Sequence, residues 1–133
     1  MSYSIGQLAK SADTGVETIR FYERRGLMPD PPRAPSGYRR YPRDATDRLL
    51  FIRRAKRLGF TLDEIGTLLA LQEGGGRAAV KAIAQAKLAQ IEARIDDLRR
   101  MRKTLAELEK QCSGHGPVPG CPIIEALSDG SEA

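Results

Sequence analysis

The sequence predicts a mainly α fold: several short helices followed by one unusually long helix. Three observations predict it. Apolar residues recur at spacings of three and four from Ile5 to Leu71, in blocks parted by Gly and Pro. No Pro or Gly occurs from Ala78 to Gln111, a run sufficient for about nine helical turns. Charge is divided as well: residues 1–60 carry 13 Lys+Arg against 6 Asp+Glu, whereas residues 61–133 carry 9 against 11. The overall +5 is therefore a property of the first half, which suggests nucleic-acid contact there and another task beyond it.

Ser4 is a plausible cap for a first helix, "IGQLAKSA", with Ile5, Leu8 and Ala9 on one face. "DTG" at 13–15 breaks it. A second helix, "VETIRFYERRG", turns Val16 and Ile19 inward and ends at Gly26, so the pair reads as a helix-turn-helix. In "LMPDPPRAPSGYRRY", four prolines forbid helix, Ser36-Gly37 makes a turn, and Tyr38 to Tyr41 reads as a short strand. That segment is a wing. A third helix starts at Asp44, with Leu49, Ile52 and Ala55 inward, Arg53, Arg54 and Lys56 outward, and Gly59 as its stop. "TLDEIGTLLALQE" opens on a Thr61–Glu64 capping box and ends at Gly74 to Gly76.

In the long helix, Leu88, Ile91, Ile95, Leu98, Met101, Leu105 and Leu108 form the stripe of a coiled coil. A solitary helix has nothing of its own to bury that stripe against, which predicts pairing with a second copy. The expected divisions are a DNA-binding domain at 1–72, a hinge and dimerisation helix at 73–111, and a loop, short helix and tail at 112–133. No apolar run approaches the roughly 20 residues needed to span a bilayer, and "MSYSIGQLAK" lacks a secretory core, so a cytoplasmic location without membrane contact is expected. No Ser/His/Asp set, phosphate loop or paired-carboxylate cleft is evident, and an enzyme is not expected.

The segment "CSGHGPVPGCPIIEAL" holds both cysteines of the chain, Cys112 and Cys121, and its one histidine, His115. A reducing cytosol disfavours a structural disulfide, leaving metal binding, redox switching or idle thiols. Cys121-Pro122 reads as the cap and first residue of a short helix, "PIIEALS", whose free amides favour a thiolate. Two soft thiolates suit Cu(I), Ag(I), Au(I) or Hg(II); zinc, lead and cadmium usually take more ligands. His115 is a candidate third ligand or an exposed loop histidine.

"SIGQLAKSADTGVETIRFYERRGLM", "SGYRRY", "FIRRAKRLGFTLDEI" and the final "C…CPIIEAL" together resemble the MerR family of bacterial transcription regulators, over residues 3–127. The resemblance implies a winged helix-turn-helix DNA-binding domain, an antiparallel coiled-coil homodimer and a C-terminal effector loop. It further implies an overlong promoter spacer that the effector-bound dimer bends and untwists for RNA polymerase. The second helix then enters the major groove: Thr18 and Arg20 reach bases or phosphates, and Tyr22 lies against the backbone. Arg33, Tyr38 and Arg39 on the wing, with Arg53 and Arg54, neutralise phosphates. Tyr22 and Tyr38 have core packing as their alternative.

In the metal-sensing branch the positions of Cys112 and Cys121 are ligands. Sensors of divalent ions add a third cysteine at the start of the dimer helix, a place taken here by Arg77 or its neighbour. The ligand count therefore favours Cu(I). The eight residues between Cys112 and Cys121 instead look like mercury and zinc sensors, which keeps Hg(II), Zn(II) or Pb(II), and thiol redox sensing, as alternatives.

Overall fold

A computed structural model describes residues 2–31, 37 and 40–129, in two compact units, one ending at Lys87 and the other beginning at Leu88. In chain order the elements are β1 (Ser2–Tyr3), α1 (Ile5–Ser11), α2 (Val16–Arg24), β2 (Tyr41–Pro42), α3 (Asp44–Arg57), α4 (Leu62–Gly74), α5 (Arg77–Gln111) and α6 (Pro122–Ser128).

The first unit is built by local signals that agree with the apolar pattern. Ser4 caps α1: its hydroxyl accepts from the Gln7 amide at 3.2 Å, and the Gln7 side chain accepts from the Ser4 amide at 2.9 Å. Thr61 and Glu64 repeat the device at the start of α4, at 3.2 and 2.8 Å. Each box satisfies two of the amides that a helix start leaves without partners. Leu8 from α1, Ile19 from α2, Ile52 from α3 and Ile65 from α4 meet in one core and are fully buried. Four helices thus share the apolar stripes that none could cover alone.

The strand expected at Tyr38–Tyr41 is instead Tyr41–Pro42, paired antiparallel with Ser2–Tyr3 in the register Ser2 to Pro42 and Tyr3 to Tyr41. Tyr38 and Arg39, with residues 32–36 of the expected wing, lie outside the described residues. The Arg40 guanidinium ties the pair by donating to both the hydroxyl and the carbonyl of Ser2 at 3.0 Å. Tyr41 is fully buried, and its hydroxyl donates to Glu23 Oε2 at 2.8 Å, which anchors β2 to α2. A buried phenol of this kind needs such a partner.

Lys87 is the last buried residue along the chain among those described. Its Nζ lies 2.9 Å from Glu64 Oε1 and 5.8 Å from the centre of the Phe60 ring, so a carboxylate and an aromatic face replace its water. Beyond Lys87 the described residues bury no side chain. The α5 stripe is open instead: Leu88, Ile91, Ile95, Leu98, Met101 and Leu105 are all exposed, between 40% and 60%. A helix of about 52 Å therefore presents an apolar seam without cover in its own unit. No helix among the described residues is long and apolar enough to cross a membrane.

Candidate functional site

Cys112 directly follows the last residue of α5, and its amide still donates to Glu109 O at 3.2 Å. The chain then reverses. Gly114, Gly116 and Gly120 take φ of 77°, 92° and 90°, a region that side chains disfavour, and they turn the loop tightly enough to return Cys121 to Cys112. The two sulfurs stand 3.8 Å apart as free, half-buried thiols. A disulfide would need about 2.05 Å. Two metal–sulfur bonds of about 2.3 Å set the sulfurs about 3.8 Å apart at a tetrahedral angle and about 4.6 Å apart in a straight line. The pair thus fits an ion directly or after a small opening.

Cys121 is the N-cap of α6 with Pro122 behind it. The backbone amides of Ile124 and then Ile123 reach its sulfur and hold its pKa below the ordinary cysteine value; the Cys112 thiol adds to them, while burial and Glu125 oppose. A lowered pKa means thiolate at a lower pH, the form that binds metal and reacts with electrophiles. Alkylation of the Cys112→Ser variant, followed by mass spectrometry across pH, is expected to titrate below an unperturbed cysteine. A profile at the ordinary value would show that the amides do not act on the sulfur.

His115 is exposed, and its backbone, not its ring, is engaged, through Ser113 Oγ at 3.2 Å. Among the described residues no three His, Cys, Asp or Glu side chains come together as a metal-ligand group, so His115 does not join the thiols.

The expected DNA-facing residues divide. On α2, Thr18 is half-buried, and Arg20 is exposed with a loose pair to Glu17 at 3.4 Å. Tyr22 corrects the reading: only 7% exposed, its ring belongs to the core beside Ile19, where an amphipathic ring is best covered. Arg54 is exposed on α3. Arg53 is already occupied, with Nη1 donating to Ala12 O at 3.3 Å and Asp13 O at 3.4 Å and lying 3.7 Å from Asp13 Oδ2. Arg33, Tyr38 and Arg39 lie outside the described residues. The reading also passed over Arg48, whose Nε donates to Leu27 O at 2.6 Å and so fixes the chain after α2; its spacing on α3 carried no sign of this.

Comparison with known proteins agrees with this architecture. The family described as "MerR HTH family regulatory protein" matches residues 3–72, and that described as "MerR, DNA binding" matches residues 46–108. The mercuric resistance operon regulatory protein of Bacillus cereus is 40% identical over 132 residues, spanning 96% of this chain and 98% of its own. The structure of PbrR691 from Ralstonia metallidurans CH34 with lead(II) superposes with a TM-score of 0.83 at 38% identity, covering 92% of this chain and 97% of that one. MerR from Bacillus megaterium MB1 with mercury(II) gives 0.71 at 36% identity, covering 95% and 99%. With a compact helix-turn-helix unit, a long helix and a family match over more than half its length, the chain belongs to the MerR family of DNA-binding transcriptional regulators and is not an enzyme.

Proposed function

We propose that the protein is a metal-responsive regulator that sits on promoter DNA as a homodimer and activates transcription when Cys112 and Cys121 take a soft metal ion. The observation that carries this is the pair of free sulfurs 3.8 Å apart at the end of α5. Relatives solved with lead(II) and mercury(II) support a metal as the effector. The bound ion supplies a positive centre that both thiolates share. Cys121, with its pKa held down by the Ile124 and Ile123 amides, offers a ready thiolate, and Cys112 completes the pair from the end of α5. The glycine turns close the loop around them. Closure can switch the dimer only if the ordered loop belongs to one of its conformations, the one that distorts promoter DNA into the form RNA polymerase uses.

Two thiolates without a third ligand favour ions content with low coordination, Cu(I) with Ag(I) and Au(I), or Hg(II). A divalent reading has one observation on its side: the present 3.8 Å is a tetrahedral spacing, and a straight S–metal–S unit requires the sulfurs to part by about 0.8 Å. Anaerobic titration with Cu(I), Hg(II) and Zn(II), read by thiolate-to-metal absorption and by competition, tests the reading. One Cu(I) or Hg(II) per thiol pair, each displacing Zn(II), is expected. Zinc that holds against both would reassign the site to a divalent sensor, and no binding at all would leave the thiols to redox sensing.

A further inference from the structure

We propose that Arg53 is a positioning residue for the DNA-reading helix α2: it clamps the turn between α1 and α2 instead of neutralising a phosphate. The proposal rests on the reading that α2 docks on DNA. The turn consists of Ala12 to Gly15, and Asp13 within it has φ 52°. That left-handed conformation is uncommon for any residue other than glycine, so the surroundings must hold it. Gly15 caps α2 without a side-chain hydrogen bond, so the conformation of the preceding residues sets the direction in which α2 leaves.

The end of α1 supplies what an arginine would bind. A helix C-terminus leaves carbonyls without partners and carries partial negative charge. Leu8 O, Lys10 O and Ala9 O accept from the amides of Ala12, Asp13 and Thr14. The carbonyls of Ala12 and Asp13 fall beyond that ladder, and the one nitrogen Nη1 of Arg53 serves both, with the Asp13 carboxylate close by. Three acceptors of the turn thus converge on a residue of α3. The planar fork of a guanidinium suits that task, and a lysine ammonium does not reproduce it.

The same cleft of about 380 Å³, lined by Asp13, Thr14, Tyr22, Arg53, Lys56 and Arg57, offers a comparison. Lys56 and Arg57 are exposed and meet no carboxylate among the described residues, so a phosphate arriving here finds them before it finds Arg53. Arg53 shares its charge with the turn.

The full-length dimer on operator DNA gives the test, with affinity measured across salt concentration. A lost phosphate contact lowers the salt slope by about 0.9, whereas a misplaced helix lowers affinity at every salt with the slope retained. Arg53→Gln is expected to weaken operator binding about tenfold with the wild-type slope, and Arg53→Lys to do the same because charge alone does not bridge the carbonyls. Asp13→Gly, which accepts φ 52° without strain, is expected to restore most of the affinity in the Arg53→Gln background, an effect that general loss of stability would not show. A slope reduced by about 0.9 in Arg53→Gln, or wild-type affinity in Arg53→Lys, overturns the proposal. Arg20→Ala separates the two levels: if it leaves operator affinity unchanged, docking through α2 fails, whereas a loss there beside an intact Arg53→Lys fails the clamp alone. Should Arg53→Gln not fold, Arg53→Lys decides.

Discussion

Serine at Cys112 or at Cys121 removes metal induction while operator binding persists. Each substitution leaves one thiolate of a pair whose sulfurs are 3.8 Å apart, and no third His, Cys, Asp or Glu side chain groups with them among the described residues. Loss of a direct ligand should exceed the roughly 10–100-fold that loss of an outer-shell partner costs in metal affinity. The helix-turn-helix core, made by Leu8, Ile19, Ile52 and Ile65, is composed of other residues, so DNA affinity and thermal unfolding are expected to stay close to wild type. A reporter gene and a mobility-shift assay measure the two halves. His115→Ala is expected to change neither, given its exposed ring. Full induction in the Cys112→Ser, Cys121→Ser double variant would sink the two-thiolate site.

Glutamate at Ile95 and Leu98 together is expected to abolish the homodimer. Both residues are exposed in the isolated chain, at 41% and 49%, on a helix that buries nothing of its own from Leu88 onward among the described residues. Four such side chains in a dimer represent roughly 6–12 kcal/mol of burial, and the replacements add like charges where the apolar stripe had been. An unpaired helix of this composition is marginal in water, so helicity should fall together with mass. Sedimentation and circular dichroism follow the two losses. If a folded dimer remained in solution, the interface would have to lie elsewhere.

Much of the fold is legible because it is written in short-range spacing. Ser4–Gln7 and Thr61–Glu64 announce helix starts within four residues, and the glycines at 26 and 59 end helices where the apolar period stops. Strand β1 escapes such a reading, since two residues cannot display an alternation; its existence depends on Arg40 and Tyr41, far along the chain. Amphipathic side chains are the harder case. Tyr22 and Arg53 sit at positions where a basic DNA-binding surface was expected, yet the ring went to the core and the guanidinium to the turn carbonyls. Residue type allows both outcomes for each, and tertiary neighbours choose between them. For the cysteines the spacing names the chemistry, but only the folded loop brings sulfur to sulfur.

The left-handed glycines of that loop bear on how a sensor sets its threshold. Glycine loses more conformational freedom on ordering than any other residue, and Gly114, Gly116 and Gly120 all have to be fixed to bring Cys121 home. Pro117 and Pro119 return part of that entropy by being stiff beforehand. Ordering therefore subtracts from the affinity that two thiolates would otherwise give, and it lets the ion leave again. Exchanging glycine for proline in this stretch, or the reverse, would move the concentration at which the protein answers without touching a single ligand atom.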